Sequence, residues 1–298
     1  VTQQPDGSAS IGRFEKWVKG ARPRTLPAAV VPVLVGTLLV RPQEILFSRM
    51  ALAGVVALSL QIGTNYANDY SDGIRGSDEV RVGPVRLVGQ KLASPRAVKT
   101  AALLSFSLAA LAGLVLCALS SWWLILPGAA ALGAGWLYTG GPKPYGYLGL
   151  GELFVFLFFG VVATVGSTFL QHRSIPAVAW IAAIPVGLLA TALLEANNLR
   201  DIDGDVDSAK RTLAVRLGRA RASWLFIASY IGVAFGVIAC GVVRPWSLLA
   251  LLGLILAIPS CQLALSEARG KALLPMLQAA GRTQLAVGVV LAVGLALP

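Results

Sequence analysis

The chain has 298 residues, 56% of them hydrophobic and only 13% charged, with a mean hydropathy of +0.73. Soluble domains carry about 25% charged residues and disordered chains are apolar-poor and charge-rich, so both classes are excluded and a bilayer is the natural solvent. The net charge of +11, from 25 Lys+Arg against 14 Asp+Glu, would suggest nucleic acid in a soluble protein. In a membrane chain it marks cytoplasmic loops, and no nucleic-acid partner is expected.

In chain order, residues 1–10 read as a disordered arm, without the apolar stretch or cleavage site of a secretion signal. Residues 11–21 place Ile11, Phe14, Val18 and Ala21 at helical spacing among Arg13, Lys16 and Lys19. That pattern predicts a short amphipathic helix on the inner leaflet of the bilayer. Nine apolar stretches follow, at about 26–40, 50–68, 97–119, 121–138, 150–170, 176–196, 222–242, 245–265 and 283–297. The expectation is an all-α membrane protein with nine transmembrane helices. Trp17, Trp122 and Trp123 suit the interfacial belt. Cys117, Cys240 and Cys261 all sit in apolar runs, and their spacing fits neither a disulfide framework nor a zinc site.

With the N-terminus in the cytoplasm, the arm and the loops near 69–96, 139–149, 197–221 and 266–282, with Lys99 at the border of the third stretch, hold 21 of the 25 Lys+Arg. Only Arg41, Arg49, Arg173 and Arg244 fall on the other side, which predicts an N-in, C-out orientation. An internal repeat recurs at about 130 residues. Asn65, Asp69 and Asp72 return as Asn197, Asp201 and Asp205, and Arg81, Val85, Arg86 and Leu87 return as Arg211, Val215, Arg216 and Leu217. Residues 1–24 are read as the arm with its interfacial helix, and 25–298 as one transmembrane domain. Its two four-helix halves cover about 25–148 and 149–265, with one further helix.

The polar ends of the second and sixth stretches carry the chemistry. On a helix Asn65, Asp69 and Asp72 share one face, with Asn68 beside it, and Asn197, Asp201 and Asp205 share another. If the sixth helix continues past Gly204, Asp203 and Asp207 point away from that face. Carboxylate rows at the end of a membrane helix self-repel without a cation. Oxygen ligands with no His or Cys nearby point to a hard ion, Mg²⁺ in particular, held by Asp69, Asp72, Asn197, Asp201 and Asp205 together with substrate phosphate. Neighbouring Arg and Lys supply further phosphate recognition. The residues thus describe a Mg²⁺–diphosphate cradle beneath an apolar bundle, fit for an amphiphile with a diphosphate head and a hydrocarbon tail.

The segments N-D-Y-S-D-G-I-R-G-S-D with R-V-G-P-V-R-L-V, the loop 138–152, and N-N-L-R-D-I-D-G-D with K-R-T-L-A-V-R-L-G resemble the UbiA superfamily of intramembrane aromatic prenyltransferases. Within it they are most similar to the 1,4-dihydroxy-2-naphthoate polyprenyltransferase branch of menaquinone biosynthesis. The resemblance runs from A-R-P-R-T-L-P at 21–27 to the last spans. It departs at Gly76, where the superfamily often has a third Asp (Asp78 being the nearest acid), and at Asn197, where many relatives carry Asp. The resemblance implies a Mg²⁺-dependent transfer of a polyprenyl group from polyprenyl diphosphate to dihydroxynaphthoate. CO₂ is lost, and a demethylmenaquinol forms at the cytoplasmic face of a bacterial cell (inner) membrane. It implies catalytic roles for Asp69, Asp72, Asp201, Asp205 and Lys143. Diphosphate would be bound by Asn65, Asn68, Arg81, Arg86, Lys143, Lys210, Arg211 and Arg216.

Arg22 and Arg24 adjoin the first stretch and are read as anchors within reach of the site. Glu152 and Glu195 are read as hydrogen-bonded structural acids, and His172 as an outer-loop residue. Two alternatives remain open from the sequence: another aromatic acceptor, 4-hydroxybenzoate or homogentisate, and a cation transporter. A transporter's polar residues should line a path across the membrane, whereas these acids cluster at one face.

Overall fold

The computed structural model describes residues 12–40, 42–76 and 85–298, so Arg81, Asp78 and the arm 1–10 lie outside the described residues. Within them the chain is helical throughout, with no strand. A short helix, α1 (Arg13–Gly20), precedes nine apolar helices. These are α2 (Pro27–Leu38), α3 (Phe47–Ile74), α4 (Pro95–Leu119), α5 (Trp122–Leu137), α6 (Gly151–His172), α7 (Ala177–Asp207), α8 (Arg219–Val243), α9 (Pro245–Leu265) and α10 (Gly270–Ala296). Seven are long and apolar enough to cross a membrane; α2 and α5 are shorter. At 1.5 Å per residue the 12 residues of α2 span about 18 Å, less than the ~30 Å of hydrocarbon.

The last helix starts well before residue 283, where the expected span began. Its early turns contain Gln278 and Arg282, which dilute the apolar pattern, yet Met276, Leu277, Ala280 and Gly281 are buried against the bundle. Local composition thus hid a face that packing reveals.

α7 is the central element: it is mostly buried, and it packs against α2, α6, α8 and α10. Small residues allow this closeness, as is usual where lipid gives no hydrophobic drive between helices. A Cβ on Gly160 of α6 would stand 2.6 Å from the Gly187 Cα of α7. One on Gly36 of α2 would stand 2.2 Å from the Thr164 carbonyl oxygen of α6, and the Thr168 hydroxyl donates to the Gly36 carbonyl at 2.8 Å. In α6, residues Phe156–Val162 widen into a π-helical stretch, which shifts the phase of the following side chains. α5 buries none of its residues; it forms a thin wall between a central cavity and the outside.

Candidate active site

The cavity has a volume of about 660 Å³. Its walls come from α2 to α7, and Ala53 and Asp72 of α3 both line it. Nineteen residues apart on one helix, they are about 28 Å from each other along the axis, so the cavity runs most of the depth of a bilayer core. The body is apolar, with Ala57, Leu60, Leu116, Leu124, Phe158 and Leu170 among its lining residues. An aromatic row follows one wall: Tyr138 meets Tyr145 edge-on at 5.5 Å, Tyr145 stacks on Phe154 at 4.0 Å, and Phe154 leads to Phe158 at 6.1 Å. Burial pushes the Tyr145 hydroxyl above the ordinary tyrosine range. It remains a neutral donor, bonded to the Ala134 carbonyl at 2.9 Å.

One end is polar. Helix α7 continues unbroken through Gly204 to Asp207. Asp201 and Asp205 are therefore one turn apart, both buried and both lining the cavity, whereas Asp203 and Asp207 are exposed. Asp203 pairs with Arg269 across solvent, at 3.7 Å. Asn197, one turn before Asp201, also lines the cavity and donates back to the Leu193 carbonyl at 3.0 Å. The Arg200 guanidinium grips Asp201 with two parallel bonds of 2.7 Å, the strong bidentate form of a charge-assisted pair. Both partners are almost fully buried.

From α3, Asp72 faces the same space. Lys210 Nζ lies 2.9 Å from its Oδ2, and the Tyr147 hydroxyl donates to its Oδ1. Lys210 also sits 4.7 Å from the centroid of the Tyr147 ring, and Arg75 lies 5.5 Å from it. Arg75 in turn donates to the Thr139 and Gly141 carbonyls, fixing the α5–α6 loop to the end of α3. Asn65 and Asn68 line the cavity; the Thr139 hydroxyl donates to Asn68 Oδ1 at 2.7 Å. Arg86, 5% exposed, lines it too.

Several residues singled out in the sequence stand elsewhere. Asp69, fully buried, is not among the cavity-lining residues; its two oxygens accept the backbone N–H groups of Leu87 at 2.7 Å and Val88 at 3.0 Å. Lys143 is exposed in the α5–α6 loop and does not line the cavity. Arg211 and Arg216 are exposed, and the Arg216 Nε donates to the Arg211 carbonyl at 3.1 Å. Glu152 and Glu195 are buried and hydrogen-bonded, to Asn198 at 2.8 Å and Ser229 at 3.1 Å. Tyr147, Arg200 and Asn198 line the site without having been singled out. Arg200 was readable, because it lies three residues after Asn197 and so borders the same helix face. Tyr147 lies in a single 3₁₀ turn, Tyr145–Leu148, between α5 and α6, too short to carry a periodic signal.

Three carboxylates, amide oxygens and three buried cations, Arg86, Arg200 and Lys210, at one end of an apolar cavity form a charge-balanced polar cap. Among the described residues no three His, Cys, Asp or Glu side chains gather into a ready-made metal cage. The donor set suits a hard, oxygen-preferring ion bound by a few carboxylates and completed by phosphate oxygens of a ligand.

The sequence model of the UbiA prenyltransferase family matches residues 29–273. The chain is 47% identical over 289 residues to the 1,4-dihydroxy-2-naphthoate octaprenyltransferase of Mycobacterium tuberculosis, covering 96% of this chain and 98% of that protein. It is 44% identical over 272 residues to the Mycobacterium leprae protein of the same name, covering 91% and 92%. In fold it is similar to a UbiA homolog from Archaeoglobus fulgidus bound to DMAPP and Mg²⁺. There the TM-score is 0.64 at 13% identity, over 93% of this chain and 99% of that one.

Proposed function

The chain belongs to the UbiA prenyltransferase family, and from that premise we propose that it transfers a polyprenyl group from a polyprenyl diphosphate to 1,4-dihydroxy-2-naphthoate. CO₂ is released and a demethylmenaquinol formed. The observation that carries this reading is the single cavity that joins an acid-and-cation end to an apolar body about 28 Å deep. A diphosphate head and a polyprenyl tail need those two environments in that order. The naphthoate acceptor is supported by the names of relatives matched over nearly the whole chain.

In this reading Asp72, Asp201 and Asp205, with Asn197, would hold Mg²⁺ beside the diphosphate head. Mg²⁺, when bound, neutralises the charge that develops on the leaving diphosphate. Lys210, Arg86 and Arg200 add cationic contacts to the same oxygens. Asn65 and Asn68 orient the head. The aromatic row and aliphatic wall hold the tail and exclude water from the allylic carbon as its C–O bond breaks. Asp69 serves by position: it ties Leu87 and Val88 down and thereby sets Arg86 at the cavity. Lys143, Arg211 and Arg216 belong to the basic surface around the mouth. The proposed topology has nine crossings, two of them made by the short α2 and α5, with the N-terminus and the site at the cytoplasmic side of the cell membrane; its support is the 21-to-4 division of Lys+Arg.

The test is a membrane assay with a labelled polyprenyl diphosphate and a panel of aromatic acids. The expected result is a prenylated naphthoquinol lacking the carboxyl group. Turnover of 4-hydroxybenzoate or homogentisate with dihydroxynaphthoate untouched would contradict the acceptor.

A further inference from the structure

Helix α1 lies at the acid-bearing end of the bundle and has two distinct faces. One is docked on the protein. Trp17 meets Tyr66 of α3 edge-on with centroids 5.8 Å apart, and the Tyr66 hydroxyl donates to the Trp17 carbonyl at 2.8 Å. Lys16 Nζ donates to the Leu92 carbonyl at 2.6 Å. Gly20 closes the contact, since a Cβ there would sit 2.7 Å from Leu87 Cδ1. The other face carries Phe14, 81% exposed, and Val18, 40% exposed. At i and i+4 they form one apolar patch.

What covers that patch can be argued from its setting. The chain runs directly from α1 into α2, the first apolar helix, which begins at Pro27. The patch therefore stays close to the hydrocarbon boundary. Around it the charge is one-sided: α1 carries Arg13, Lys16 and Lys19 against Glu15 alone, and the adjoining stretch exposes Lys91, Arg96 and Lys99. An apolar strip flanked by cations beside a membrane helix is complementary to an anionic lipid surface.

The docked face leads into the site. Leu87, on which Gly20 packs, is held through its N–H by Asp69, and its neighbour Arg86 lines the cavity. Just past α1, Asn65 Nδ2 donates to the Ala21 carbonyl at 2.9 Å and to Thr25 Oγ1 at 3.1 Å. Between them Arg22 takes a left-handed backbone, φ 54°, and also lines the cavity. That conformation is disfavoured for a side-chain-bearing residue and is kept by the contacts on either side. A shift of α1 would therefore displace Arg22 and Arg86 relative to Asp72.

We propose that α1 docks on anionic lipid through Phe14 and Val18, and that this docking holds the roof of the site, Arg22 and the Arg86–Val88 segment, in place. The lipid contact stands on this geometry alone; the coupling to turnover rests on the prenyl-transfer reading.

The experiment has two arms, both on the full chain in vesicles of phosphatidylcholine with or without phosphatidylglycerol. In the first, Phe14→Cys in a Cys261→Ala background carries a fluorophore. Quenching by spin-labelled lipid, stronger in anionic vesicles, is expected; quenching only from water overturns the docking. In the second, Phe14→Ser/Val18→Ser is compared with Phe14→Leu/Val18→Leu, with thermal stability recorded for both. The serine pair is expected to lose at least about fivefold in kcat, because two apolar side chains no longer enter the interface, with stability kept; the leucine pair should retain activity. Wild-type turnover by the serine pair, or equal loss in both pairs, overturns the coupling. Should the wild type fail to prenylate dihydroxynaphthoate, the function reading falls, and the quenching arm still decides the docking.

Discussion

The ends of α3 and α7 carry the same residues at nearly the same spacing and use them differently. On α7, Asp201 and Asp205 both face the cavity, one turn apart, with Asn197 a turn before. On α3, only Asp72 does; Asp69 spends both oxygens on the backbone of Leu87 and Val88. The difference follows from what comes next in the chain. After α7 the chain turns away and returns Lys210 to Asp72. After α3 the chain comes back over the helix, and its Leu87–Val88 backbone needs a buried acceptor. A pair of N–H groups in an apolar setting is costly to leave unpaired, and a carboxylate five residues before the helix end is placed to accept both. A repeated motif thus divides into acids that face the cavity and one that tethers the backbone, and the division is set by tertiary contact.

The largest effects should come from the three acids proposed as ligands. Asp72→Asn, Asp201→Asn and Asp205→Asn are each expected to lower kcat/KM by at least about 10²-fold, about 2.7 kcal/mol of transition-state stabilisation. Pairs of these changes should cost less than the sum of the singles, since the acids act through one cluster. Mg²⁺-dependent activity at matched expression checks this, and additive losses would break the proposed cluster.

Asp69→Asn separates the two ends most sharply. The amide keeps one acceptor and turns a donor toward the other N–H, so stability should fall by about 1–3 kcal/mol, read as a lower melting temperature in detergent. Half-saturation by Mg²⁺ should stay near wild type, whereas Asp72→Asn should shift it upward. An equal Mg²⁺ shift in both variants would make Asp69 a ligand like the others.

Tyr147→Phe removes the hydroxyl that holds Asp72 Oδ1 but keeps the ring beside Lys210 and Arg75. A loss of about tenfold in kcat/KM is expected, near the 1.4 kcal/mol of one hydrogen bond to a charged group. No change would show that the Tyr147 hydroxyl does not orient Asp72 for turnover.

The smallest effects belong to the exposed charges. Lys143→Ala, Arg216→Ala and Asp203→Asn should each stay within about threefold of wild type, because solvated charges and exposed ion pairs contribute little. A hundredfold loss at Lys143 would bring the α5–α6 loop into the site during turnover.

Much of this was legible in the sequence, and the reasons are local. The apolar runs located the apolar helices, because hydropathy is a property of each segment, but they stopped short of the polar ends of α3 and α7 and began late on α10. The face shared by Asn197, Asp201 and Asp205 followed from the helical period once α7 continued through Gly204. The role of Asp69 was hidden because its partners lie 18 and 19 residues away, across a stretch with no periodicity. The same holds for Tyr147, 75 residues from Asp72. The internal repeat also promised more than packing delivers: Arg86 is buried at the cavity, but its counterpart Arg216 is exposed against the Arg211 carbonyl.

The most direct test of the central claim uses dihydroxynaphthoate labelled with ¹⁴C in its carboxyl group and a polyprenyl diphosphate labelled with ³H, supplied to the membrane-reconstituted protein with Mg²⁺. The account predicts one ¹⁴CO₂ released for each ³H-prenyl group that enters the naphthoquinol, with both signals lost together in Asp72→Asn and Asp201→Asn. A prenylated product that retains the ¹⁴C label, or transfer that persists unchanged in those two variants, would contradict it.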